Sequence, residues 1–179
     1  WEFPLAFWME KEGYDVSYIS NIDTHSDPQG LLRSKGFISV GHDEYWSLEM
    51  YDNVRKARDE GVNLVFFGGN SVLCVAPLLP NGNETPNRAT RREGWFMPVP
   101  EEIPEAVKQR LLNRRNFEMN MGPDGAQLMG GRLDKDQKTG RGMGCGDWTC
   151  AMPEHWLFEG TGMKKGDSIK GLVGWEWHG

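Results

Sequence analysis

Cysteine is scarce in this chain: three in 179 residues, at Cys74, Cys145 and Cys150, with no Cys-x-x-Cys pair. That excludes a disulfide scaffold and argues against a structural zinc site. Long apolar runs are also missing. The longest, Leu64 to Leu79, is broken by Gly68-Gly69-Asn70 and by Pro77, so it cannot span a bilayer. Basic charge is short too, with 20 Lys plus Arg against 26 Asp plus Glu, a net charge of −6. Its densest basic spots are the doublets Arg91-Arg92 and Arg114-Arg115. Two doublets do not make the basic stripe that a phosphate backbone demands, so neither a nucleic acid nor a membrane is an expected partner. The chain opens on Trp1, not Met, and enters a helix almost at once. It reads as a piece of a longer protein, a single domain over residues 1–179. Targeting is unreadable on that basis, with the cytoplasm favoured.

What is present describes a globular unit. Hydrophobic residues make up 38% and charged residues 26%, and a chain of this length buries roughly 70% of its unfolded surface. Glycine is abundant at 23, so long glycine-dependent loops are expected. Eight Trp exceed the needs of a plain core.

The first 80 residues read as α/β. Pro4 in a first turn, with Leu5, Trp8 and Met9 on one face and Gly13 at the end, predicts a helix. Val16-Ser17-Tyr18-Ile19 predicts a short strand, and Asp23 to Lys35 a loop with one or two helical turns. Gly36 to Val40 predicts a second strand. Ser47 is an N-cap for a helix carrying Leu48, Tyr51, Val54 and Ala57, ended by Gly61. Asn63 to Phe67 is uniformly apolar after its first residue, as a parallel strand buried on both faces would be. Strand, helix, strand at this spacing predicts a βαβ crossover, so the loops 41–46 and 68–71 leave the same carboxyl edge. Open α/β sheets bind ligands at that edge. Further on, Glu101 to Arg115 predicts a helix, Gly122 to Gly146 shows no period, and Leu172 to Trp177 reads as a strand returning to the sheet.

The densest polar cluster is Gly41-His42-Asp43-Glu44-Tyr45-Trp46. Gly68-Gly69-Asn70-Ser71 predicts a sharp turn with Asn70 at its tip and a helix carrying Ser71 and Cys74 beyond it. Asn at such a tip can donate to an oxyanion, but it is no nucleophile. Glu176 sits between Trp175 and Trp177, and alternation sends its carboxylate to the opposite face. A buried Glu there needs a partner or a task. Asp147 lies in a glycine-rich loop anchored by Trp148, and His155 reads as a structurally bonded histidine.

Gly41-His42-Asp43-Glu44-Tyr45-Trp46-Ser47 resembles a motif of the N,N-dimethylformamidase large (β) subunit family, in its C-terminal domain. Supporting stretches are Glu12 to Val16 with Asn21 to Asp23, Phe66 to Asn70, His155 to Gly162, Gly166-Asp167 and Gly174 to Glu176. The resemblance implies a class I glutamine-amidotransferase-like, flavodoxin-like parallel sheet with a long glycine-rich insertion. It implies a metal-dependent hydrolase of a small amide, with mononuclear iron held by two tyrosines and a glutamate. Tyr45 falls on the motif's tyrosine and is the metal-ligand candidate. The second tyrosine falls upstream, at Tyr14, Tyr18, the position of Phe3, or before Trp1. Glu118 and Asp124 are the acidic metal candidates. Glu176 is then the general base, with His42 and Asn70 orienting substrate or stabilising an oxyanion. Asp43, Glu44 and Asp147 are the bases to consider if Glu176 is structural. The resemblance also implies a small partner subunit and a homo-oligomer. The competing reading is a non-catalytic ligand- or carbohydrate-binding module on a sheet that has lost its nucleophilic Cys.

Overall fold

The computed structural model describes residues 2–90, 94–96, 123–130, 141–142, 146–173 and 177–178. The chain divides into two compact units, Trp1–Arg132 and Leu133–Gly179. Its architecture mixes helices with short parallel and antiparallel sheets.

The first unit is built on one parallel pair. β1 (Gly36–Val40) and β3 (Asn63–Phe67) run side by side in register from Gly36 opposite Asn63 to Val40 opposite Phe67. Between them in sequence lies α4 (Leu48–Asp59), whose bounds follow the predicted helix. The Ser47 hydroxyl accepts from the Met50 amide at 3.0 Å and caps it. Gly61, at φ +100°, ends the turn beyond it. Met50, Tyr51, Val54 and Ala57 form the buried stripe of this helix, at the spacing that puts side chains on one face. Trp46 is fully buried and meets Phe37 and Phe66 at ring distances of 6.1 and 6.3 Å. Tyr51 stacks on Phe96 at 5.3 Å.

Several expectations are corrected. Residues 14–20 form no strand. Tyr14, Tyr18 and Ile19 are exposed there, and the Tyr18 hydroxyl donates to Glu10 at 2.6 Å instead of the segment finding a sheet edge. The run ends in a capping box between Ser20 and Asp23 that starts α2 (Asn21–Ser26), followed by α3 (Pro28–Leu31). These are the one or two turns predicted over 23–35. The helix over the first residues is present as α1 (Glu2–Lys11), but it carries no buried residue. β3 is half-buried and ends on an exposed Phe67, because β1 is its only partner among the described residues.

No helix follows the 68–71 turn. The chain passes into β4 (Cys74–Val75), which pairs in parallel with β2 (Tyr45–Trp46) and antiparallel with β7 (Gly94–Trp95). β5 (Leu78–Leu79) and β6 (Ala89–Thr90) form a small antiparallel pair, and α5 (Ala126–Met129) closes the described part of this unit.

In the second unit β9 (Gly146–Thr149) pairs antiparallel with β10 (Ser168–Val173). β8 (Arg141–Gly142) pairs antiparallel with β11 (Trp177–His178). The described parts of the predicted returning strand therefore pair antiparallel with β9 and β8. The Glu101–Arg115 helix, Glu118 and Glu176 lie outside the described residues. Among the described residues no helix is long and apolar enough to cross a membrane.

Candidate functional site

The parallel register of β1 and β3 brings their following loops to one edge, as the βαβ spacing implies. The Gly41 amide donates to the Phe67 carbonyl at 2.9 Å. A side-chain carbon on Gly68 would lie 1.7 Å from the Gly41 carbonyl oxygen, so the two loops meet where only glycine fits. The amides of Val72, Leu73 and Cys74 then donate to the carbonyls of Asp43 and Glu44 at 3.0, 3.2 and 2.8 Å.

The turn itself is strained. Asn70 has φ +56° and Val72 φ +51°. Asn tolerates the left-handed region, whereas a β-branched residue there is an outlier. Such a residue costs about 1–3 kcal/mol and persists where its surroundings hold it. Val72 is 1% exposed. Ser71, between them, is also buried, and its hydroxyl has no hydrogen-bond partner among the described residues.

Four side chains converge across these loops. His42 Nε2 lies 3.2 Å from Glu44 Oε2, and Asn70 Nδ2 lies 3.5 Å from the same His42 nitrogen. Cys74 Sγ donates to the other Glu44 oxygen, Oε1, at 3.4 Å. The Glu44 side chain is 16% exposed and that of His42 45%. A single ring nitrogen cannot both donate to Glu44 and accept from Asn70. The shorter, charge-assisted contact to the carboxylate takes the Nε2 proton. That leaves the Asn70 amide able to turn to another acceptor, such as a substrate carbonyl.

Asp43 faces differently. Its carboxylate accepts from the buried Ser39 hydroxyl at 2.8 Å and from Asn21 Nδ2 at 3.2 Å. It ties α2 to the end of β1 and is a structural carboxylate.

The structure brings together His42 and Asn70 of the expected site. Tyr45 stands on β2 with 48% exposure. Asp124 Oδ1 accepts from the Ala126 amide at the start of α5, and its carbonyl accepts from the Tyr51 hydroxyl at 3.1 Å. Asp147 is bound by Lys170 at 2.6 Å and by the Gly171 amide, and the Lys170 contact above all holds its carboxyl below the usual range. His155 Nδ1 accepts from the Leu157 amide, the structural bonding expected of it.

All four tyrosines of the sequence are described. The Tyr18 hydroxyl is given to Glu10, a bond that raises its pKa and opposes phenolate formation. Tyr14 packs against Trp8 at 5.5 Å. Burial also raises the pKa of Tyr51. Among the described residues no three His, Cys, Asp or Glu gather as metal ligands. Tyr18 and Tyr51 thus give their hydroxyls to other partners, Tyr45 is half-exposed on β2, and Glu118 lies outside the described residues.

Two open grooves among the described residues lie elsewhere, at the amino edge of β1 and β3. One, of about 380 Å³, is lined by Lys35, Val62 and Asn63 among others. The second, of about 480 Å³, is lined by Arg58, Leu64 and Leu128 among others.

Sequence reasoning did not find Cys74 beside Glu44, because thirty residues separate them and only the β2–β4 pairing joins them. It also did not find His25, whose Nδ1 lies 2.8 Å from the Ser47 hydroxyl at the cap of α4. No local pattern marks either contact.

No curated protein matches the chain, and no solved structure matches it. The family described as N,N-dimethylformamidase beta subunit-like, C-terminal, matches residues 1–179, and the chain belongs to that family.

Proposed function

We propose that this chain hydrolyses a small amide at the rim formed by residues 41–44 and 68–72. The observation that carries the reading is the convergence of Glu44, His42 and Asn70 on a strained turn at the carboxyl edge of a parallel pair. Family membership supports the same chemistry, since the family is named for an amide hydrolase. Glu44 orients the imidazole from behind. The Asn70 amide donates to the amide carbonyl and stabilises the negative charge that develops on its oxygen when water adds, while His42, held by Glu44, orients the substrate. Glu176 is the proposed acceptor of the water proton and rests on its sequence position alone. The fold proposed around this edge is the amidotransferase-like sheet, whose thiol nucleophile has no counterpart at Asn70.

Iron is proposed on the resemblance alone. The Tyr18 and Tyr51 hydroxyls go to Glu10 and the Asp124 carbonyl, Tyr45 is the proposed ligand with the second phenol left open, and no step above passes through iron. The beta-subunit name supports a multi-subunit enzyme with a small partner chain.

The test is amine release from a series of small amides, N,N-dimethylformamide among them, with iron content measured alongside. His42→Gln is expected to lower turnover about 10²–10⁴-fold with the fold intact. Binding of amides without amine release from the native protein would favour the binding-module reading instead.

A further inference from the structure

Glu44 has two carboxylate oxygens with two different neighbours. Oε2 meets the half-exposed His42 ring, and Oε1 accepts the thiol proton of Cys74. Cys74 is fully buried on β4. Its backbone is fixed to the same residue, because the Cys74 amide donates to the Glu44 carbonyl at 2.8 Å and β4 lies in parallel register with β2, Cys74 opposite Tyr45. A glutamate has three rotatable side-chain bonds and is free to swing unless both oxygens are held. Here the buried thiol anchors the inner oxygen while the outer one faces the imidazole.

We propose that Cys74 is a positioning residue: its S–H donates to Glu44 and sets the carboxylate against His42. The proposal rests on the reading that Glu44 and His42 form the working pair. It assigns the thiol a role other than nucleophile. A sulfur sealed from solvent, with its proton directed at a carboxylate, lacks the access and the electropositive surroundings that reactive cysteines have. A thiol is a weak donor, so its value lies in direction more than in energy. Serine keeps a donor at this position, whereas valine keeps apolar volume and removes it.

Two measurements test this without any substrate. The S–H stretch absorbs in an infrared window free of other protein bands, and a difference spectrum against Cys74→Ser assigns the Cys74 band. In the native chain that band should lie on the low-frequency side of a free thiol, and Glu44→Gln should move it upward. Nitrogen-resolved NMR of the imidazoles supplies the second measurement. Cys74→Val should shift the His42 ring signals while leaving those of His155 in place, and Cys74→Ser should restore the native His42 signals. A Cys74 band unmoved by Glu44→Gln, or His42 signals unchanged in a folded Cys74→Val chain, would overturn the proposal. If Cys74→Val does not fold, the infrared comparison decides alone. Amide turnover is read separately, so a failure of the hydrolase reading leaves both spectroscopic outcomes intact and distinguishable.

Discussion

Gly68 faces the Gly41 carbonyl so closely that a methyl group on Gly68 would sit 1.7 Å from its oxygen. This contact joins the two loops that carry His42 and Asn70, and it makes a backbone approach, not a side chain, the foundation of the candidate site.

Gly68→Ala should therefore destabilise the chain by about 1–3 kcal/mol or more, since overpacking against backbone has no flexible group to yield. Gly82→Ala is the matched control, with open space around the added carbon, and should stay within about 0.5 kcal/mol of native. Urea midpoints of the two variants check this. Equal midpoints would remove the close approach from the account.

Ser47 is fully buried, accepts from the Met50 amide and meets His25 Nδ1 at 2.8 Å. Loss of an N-cap hydroxyl costs about 0.5–2 kcal/mol. Ser47→Ala should lie at the upper end of that range, because His25 loses a partner as well. Chemical denaturation of the variant reads the cost, and a value near zero would show the cap to be dispensable.

The Asp23 carboxyl is held below its ordinary range, first by the Ser20 amide and then by the Ser20 hydroxyl. Its folded pKa is lower than its unfolded one. The stabilisation is therefore fully present above the unfolded value, about 3.9, and is lost as pH falls through the lower folded value. Asp23→Asn should flatten that part of the acid limb of the stability curve while leaving its slope near neutrality unchanged. Midpoints measured at a series of acid pH values check this, and a variant curve parallel to native throughout would contradict it.

The parts of the fold that declare themselves locally were legible in the sequence. α4 is written in Ser47 and in the spacing of Tyr51, Val54 and Ala57, while β1 and β3 are written in apolar runs. The carboxyl-edge meeting of His42 and Asn70 followed from strand, helix, strand spacing. The pairing of β2 with β4 was not legible, because each strand has two residues and their match lies in contacts far apart in sequence. For the same reason a helix was expected where Cys74 enters a strand, and the Glu44–Cys74 contact went unseen. Val16 to Ile19 shows the opposite failure: a local β pattern that finds no sheet edge to join.

Asn70→Gly tests the central claim most directly. Glycine adopts φ +56° freely, so the turn survives while the amide disappears. Amine release from N,N-dimethylformamide or another small amide turned over by the native protein should fall about 10²–10³-fold, the scale of a lost oxyanion donor. The urea midpoint should stay close to native. Native turnover in a folded Asn70→Gly chain would contradict the account.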